Sequence, residues 1–157
     1  MKRLVMLSVL VAVGAAWPVR ASAQMRVTKI DDPPRIAEYV EFGGNTGAIS
    51  ANLDVLVASH TSIRGGGLLF IFDSTYWNSL IMVNQLFGTH GHYLEVGAGF
   101  VATGSTGQPD GAGPTLSIGY RLQTRQGLFR LSAASTPARA GGHGWRPMLG
   151  MSVGKTF

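Results

Sequence analysis

Four histidines, His60, His90, His92 and His143, are the side chains best suited to acid–base or metal chemistry in this chain. His60-Thr61-Ser62 sets an imidazole two positions from a hydroxyl. A histidine beside a serine can take its proton and make the oxygen a nucleophile, but such pairs are oriented by a third group. No acid lies close by in sequence to orient this one. His90-Gly91-His92 offers two metal ligands where a zinc site takes three or four. No neighbouring carboxylate completes it, and the chain has no cysteine. Gly65-Gly66-Gly67 and the run from Gly104 to Gly107 are not phosphate loops, since neither leads into a Lys-Ser/Thr pair and a helix. No catalytic residue, metal site or cofactor is assigned.

A second kind of chemistry is charge pairing. Glu41, Asp54 and Glu95 stand with Arg64, Arg121 and Arg130 in a chain that carries only 13% charged residues. What positions them is an alternating pattern. Ile49, Ala51, Leu53, Val55 and Val57 are apolar, and Ser50, Asn52 and Asp54 lie between them. A period of two is a strand with one apolar and one polar face. The same reading gives eight strands, over Ala37–Asn45, Ala48–Ala58, Ser62–Phe72, Ser79–Phe87, Tyr93–Thr103, Pro114–Gln123, Leu128–Ser135 and Arg146–Phe157. Turn-forming residues separate them at 45–47, 88–92, 104–113, 124–127 and 136–144. No segment has a helical stripe.

The apolar face reads Val40, Phe42; Ile49, Leu53, Val55; Leu94, Val96, Phe100; Leu116, Ile118, Tyr120, Leu122; Phe129, Leu131; Leu149, Met151, Val153. The opposite face holds the six charges with serines and with Gly97, Gly99, Gly119, Gly150 and Gly154. A solvated sheet face would carry more Lys, Thr and Glu. Small residues and matched charges suit a narrow interior, where unpaired charge is costly. The expectation is an all-β fold, an eight-stranded antiparallel up-and-down transmembrane β-barrel, polar inside and apolar outside. A transmembrane strand takes about 9–11 tilted residues, which this length accommodates. Glu41, Asp54, Glu95, Arg64, Arg121 and Arg130 are expected to pair across the lumen as a structural network. Leu53, Val96, Ile118 and Leu131, near mid-strand, are expected to face lipid. Tyr76, Trp77 and Trp145 fall at one rim of such a barrel, and Tyr39, Phe87, Tyr93 and Phe157 at the other, as two aromatic girdles.

The beginning of the chain is expected to be removed. Lys2-Arg3, an apolar run from Leu4 to Ala16 and Ala21-Ser22-Ala23 have the order of a secretory signal peptide cut after Ala23. The run is too short for a membrane helix, which needs about 20 residues. Residues 1–23 are read as this signal, 24–36 as a flexible periplasmic leader and 37–157 as the barrel domain. Loss of Lys2, Arg3 and Arg20 takes Lys plus Arg from 13 to 10 against eight acids, a net charge of +2. The high isoelectric point is therefore no sign of a nucleic-acid partner, and no basic cluster with interleaved aromatics supports one.

The chain closes on Leu149, Met151, Val153 and a terminal Phe157 at period two. This resembles the C-terminal signature of bacterial outer-membrane barrels, which implies recognition by the barrel-insertion machinery. Lys155 departs from it, standing where that signature usually has an aromatic or apolar residue. Tyr39-Val40-Glu41-Phe42-Gly43-Gly44-Asn45, Met82-Val83-Asn84, Leu94-Glu95-Val96-Gly97-Ala98-Gly99 and Ser117-Ile118-Gly119-Tyr120-Arg121 resemble, in order, small outer-membrane β-barrel proteins of uncharacterised function from Bacteroidetes-like and Gemmatimonadetes-like bacteria. The resemblance implies a location and a fold, with outer-membrane lipid as a partner, and no substrate. The role expected is structural or adhesive, with no solute channel. Two alternatives stand beside it. One is a lipid-modifying enzyme on the same barrel, because His60-Thr61-Ser62 is similar to the catalytic pair of outer-membrane lipid A deacylases. In the expected topology, however, that pair lies on the periplasmic side. The other is a soluble periplasmic lipocalin-like binder with an apolar interior.

Overall fold

The computed structural model describes residues 34–46, 48–71, 75–106, 108–137 and 145–157. The segment expected to be a signal peptide, most of the expected leader and His143 lie outside the described residues. Eight antiparallel strands close on themselves in sequence order: β1 (Ile36–Gly43), β2 (Ala48–Ala58), β3 (Thr61–Ile71), β4 (Thr75–Thr89), β5 (His92–Ser105), β6 (Gln108–Gln123), β7 (Leu128–Pro137) and β8 (Trp145–Thr156). Closure comes from β1 lying against β8, with Ala37 opposite Thr156 and Gly43 opposite Gly150. Every strand then has two neighbours and the sheet has no free lateral edge along the closed part. Because the strand number is even, Ile36 and Phe157 meet at one end, called here the terminal end, where each backbone N–H bonds the other's carbonyl.

The alternation in sequence is carried out in space. Along β4, β5 and β8 successive residues switch between buried and exposed. Over the whole barrel the buried set is mostly polar and the large exposed side chains are mostly apolar, the reverse of a water-soluble barrel. Phe42, Ile49, Leu53, Val96, Phe100, Leu116, Ile118, Leu131, Leu149 and Val153 all point outward and are exposed. Inside, three small apolar clusters remain. Ala37, Tyr39 and Leu128, and then Leu56, Leu86 and Tyr93, fill the terminal end. Leu80, Met82 and Val101 pack nearer the far end.

Three sequence expectations are corrected. The stretch 104–113, read as a turn from its glycines, is mostly strand: β5 and β6 stay paired as far as Thr103–Gly111 and Ser105–Gln108. Ladder hydrogen bonds along a hairpin outweigh the weak strand preference of glycine. Tyr39 and Tyr93 belong to no girdle. They share the inward parity of Glu41 and Glu95 and are buried. Phe87, Phe157 and Trp145 are exposed at the rims, with Trp77 partly so. Finally, the turn expected at 45–47 is a short 3-10 turn, η1 (Gly44–Thr46), and it folds into the barrel with all three residues buried.

At the far end the strands are unequal. Pairing of β2 with β3 stops at Ala51–Gly67, yet β3 continues to Ile71 against β4. Pairing of β6 with β7 stops at Leu116–Ser135, while β6 runs on to Gln108 against β5. The outer parts of β3, β4, β5 and β6 therefore form a four-stranded sheet that continues beyond the closed barrel.

Candidate functional site

The interior of the barrel is where charged side chains converge. Arg64 Nη2 donates to Glu41 Oε2. Glu41 Oε1 also lies 3.9 Å from Arg130 Nη1. Arg130 Nε is 3.1 Å from Glu95 Oε1, an ion-pair contact in which the N–H is not aimed at the oxygen. Glu95 Oε2 accepts from Arg121 Nη1 at 3.1 Å, and the same nitrogen donates to Asp54 Oδ2 at 3.1 Å. The ion pairs link the six across the lumen as one chain, Arg64, Glu41, Arg130, Glu95, Arg121, Asp54, with the sign alternating at each step. Three positive and three negative groups leave no net charge in the belt. All six side chains are at most 2% exposed.

These residues come from six different strands, one each from β1, β2, β3, β5, β6 and β7. Inward parity puts them on one surface, and register sets their heights: Asp54 lies directly across from Arg64, and Arg121 across from Arg130. Like charges at Arg121 and Arg130 are tolerated side by side because Glu95 bridges them. Neutral groups complete the belt. Arg64 Nε donates to Asn52 Oδ1 at 3.0 Å, and its guanidinium lies 5.4 Å from the Tyr39 ring centre. Arg130 Nη1 donates to the Tyr39 hydroxyl at 3.3 Å, and Arg121 Nε to Gln123 Oε1 at 2.8 Å. Gln123 in turn donates to the Pro34 carbonyl at 2.7 Å, tying the segment before β1 to the terminal end of the lumen.

The remaining sequence candidates are dispersed. His60 is exposed in the β2–β3 turn with Nδ1 3.1 Å from Ser59 Oγ, whereas Ser62 is buried in the lumen beside Asn84. Two residues apart on a strand means the same face, but His60 precedes β3 and its side chain is turned away. His90 Nδ1 lies 2.9 Å from Thr89 Oγ1, and His92 Nδ1 lies 2.5 Å from the Tyr120 hydroxyl on the outer face. No group of three metal-ligating side chains forms among the described residues. Leu53, Val96, Ile118 and Leu131 point outward, as do Leu149, Met151, Val153 and Phe157. Lys155 Nζ lies 4.9 Å from the Phe157 ring centre, on the same outer face.

No protein-family model and no curated protein sequence matches the chain. Solved structures do. The chain is similar to the crystal structure of the N-terminal β-barrel domain of Pseudomonas aeruginosa OprF, with a TM-score of 0.54 and 17% identity, covering 80% of this chain and 99% of that one. The chain is a small outer-membrane-type β-barrel. It is similar also to the solution NMR structure of the de novo designed TMB2.3, with a TM-score of 0.50 and 14% identity, covering 81% of this chain and 97% of that one. A looser likeness, with a TM-score of 0.48 and 9% identity over 79% and 88% of the two chains, is to the outer membrane protein AlkL in DMPC lipid bilayers.

Several residues of this outer-membrane-type interior are not assigned to it by sequence. Tyr39 and Gln123 hold the arginines, and parity with Glu41 and Arg121 was the signal that points to them. Asn45 is the other. Its side chain reaches across the lumen to β6, where Nδ2 donates to Thr115 Oγ1 at 2.8 Å and to the Leu116 carbonyl at 3.4 Å. Nothing in the local sequence distinguishes a turn that folds inward from one that folds outward.

Proposed function

We propose that this chain is a small outer-membrane protein of the bacterial cell with a structural or surface-interaction role, and that it carries no solute. The observation behind this reading is the inversion of its two surfaces: large apolar side chains cover the outside, and three ion-paired arginines fill the inside. Exposed apolar area on that scale needs a partner, and around a closed barrel a lipid acyl phase fits all sides equally. Leu53, Val96, Ile118 and Leu131 are then lipid-facing, and the six belt residues are a structural network. A lipocalin-like binder would need an apolar lumen. The lipid-modifying reading fares worse here, because His60 is exposed in the β2–β3 turn while Ser62 is buried in the lumen.

With both chain ends in the periplasm, the far end faces outward. The sheet formed there by the outer parts of β3 to β6 has two strand edges with no neighbouring strand among the described residues, along Leu68–Ile71 and Gln108–Thr115. Unpaired edges present backbone donors and acceptors to other chains, which supports surface interaction over a purely structural role. Leu149, Met151, Val153 and Phe157 form the outward stripe of β8, fitting recognition by the barrel-insertion machinery after export and cleavage behind Ala23. The test is fractionation of expressing cells with electrophoresis of unboiled and boiled samples. Recovery with the outer membrane and a band that shifts only on boiling are expected. A protein found in the soluble periplasmic fraction, with no shift, would overturn the reading.

A further inference from the structure

We propose that the Gly44–Thr46 turn is a removable plug, which closes the far end of the lumen and, on swinging out, opens a blind polar cup to the outer medium. The turn connects β1 and β2 and would ordinarily stand above the barrel. Instead it lies inside, against β4, β5, β6, β7 and β8. The chain bends inward at Gly43 and Gly44, both at positive φ (74° and 65°), where glycine alone is unstrained. Gly44 packs backbone to backbone on β8: a Cβ at Gly150 would fall 2.7 Å from Gly44 Cα and 3.0 Å from its nitrogen.

What holds the turn is polar and narrow. Asn45 supplies the clasp, donating to Thr115 and the Leu116 carbonyl, with Arg64 Nη1 3.5 Å from its Oδ1. Its own two side chains, Asn45 and Thr46, are both polar. Among the described residues, Thr46 Oγ1 in the turn and, elsewhere in the lumen, Ser132 Oγ, Ser117 Oγ and Asn78 Oδ1 are buried with no hydrogen-bond partner. Ser132 Oγ borders the seat directly, 2.8 Å from where a Gly150 Cβ would lie. Buried polar groups without partners cost stability that water restores. Withdrawing the turn would let water reach this seat, so the docked state is held mainly by one asparagine. The cup would end at the belt. Below it the apolar clusters around Tyr39 and Tyr93, and Gln123 bonded to Pro34, close the terminal end. Only the side on which the cup opens rests on the orientation proposed above.

The absence of cysteine makes accessibility a clean probe. Thr46→Cys places a thiol on the turn without removing a hydrogen bond. Ser59→Cys, in the exposed β2–β3 turn, reports full exposure, and Ser62→Cys, beneath the belt, reports the closed interior. The full chain is folded into phosphatidylcholine vesicles and treated from outside and then from inside with a membrane-impermeant maleimide. Thr46→Cys should react measurably but far more slowly than Ser59→Cys. Adding Asn45→Ala should raise its rate about tenfold, the order expected for loss of one buried clasp. Gly150→Val, which fills the seat, should raise it as far or further. Ser62→Cys should stay unreactive throughout, and Asn45→Ala should show no ion current across a planar bilayer. If Gly150→Val does not fold, the Asn45→Ala arm decides alone. A Thr46→Cys rate unchanged by Asn45→Ala, or already equal to that of Ser59→Cys, would overturn the plug. A current would overturn the blind cup. Reaction of Thr46→Cys from the same side as Ser59→Cys would also overturn the proposal, whereas the pair reacting from opposite sides, but inverted in the cell, would refute only the orientation.

Discussion

Strand β6 shows the two faces of this molecule side by side. Arg121 points inward and is 1% exposed; Ile118, three residues away, points outward and is 52% exposed. The inner face is held by particular partners, since Arg121 is bound to Asp54, Glu95 and Gln123 at once. The outer face is defined by a property, low polarity, which many side chains share. The inside therefore depends on the identity of each residue, and the outside only on polarity and depth. Substitutions on the two faces should fail for different reasons and by different amounts.

The largest effect is expected inside. Glu95→Ala leaves Arg121 and Arg130 buried beside each other without their shared carboxylate, and removing one partner of a buried pair costs about 3–5 kcal/mol. Urea unfolding in vesicles measures it. A loss no larger than that of a surface substitution would show that the belt is hydrated and loosely held. Replacing Glu95 and Arg130 together by Met should recover much of the loss, because no lone charge then remains on that side.

Next comes the outer face at mid-strand. Val96→Arg or Ile118→Arg should destabilise the folded barrel in lipid by about 2–4 kcal/mol. Near the rim the same change should do little: Val57→Arg, close to the end of β2, is expected to cost about 0–1 kcal/mol. Equal costs at Ile118 and Val57 would argue that depth in a bilayer is not what the outer face senses. The smallest effect is expected at Ser132, whose hydroxyl has no partner among the described residues. Ser132→Ala should leave stability unchanged or raise it slightly, because a buried polar group without a bond contributes nothing favourable. A clear loss at Ser132 would place it among the held residues of the inner face.

The contrast between the faces also explains what sequence could reveal. Alternation is local, so the strands, the antiparallel barrel and the inward parity of Glu41, Asp54, Arg64, Glu95, Arg121 and Arg130 could be read from the residues. Which arginine meets which carboxylate could not. The triple role of Arg121 arises from register across β2, β5 and β6, and register belongs to the closed sheet. Tyr39 has the aromatic type of a rim residue but the parity of the lumen, and parity decides its place. The β5–β6 turn is shorter than its residues suggest, because the glycines and prolines at 104–114, which have the composition of a turn, sit in a paired hairpin. The inward fold of η1 depends on Thr115 and Gly150, both more than sixty residues away, and had no local signature.

The central claim is that the apolar outer face needs lipid. It is tested most directly by diluting the urea-unfolded chain, residues 24–157, into buffer with and without phosphatidylcholine vesicles, and following β structure by circular dichroism. The account predicts a native β signal, and a band that shifts only on boiling, with vesicles and not without them. A native, monomeric β signal in plain buffer, unchanged when vesicles are added, would contradict it.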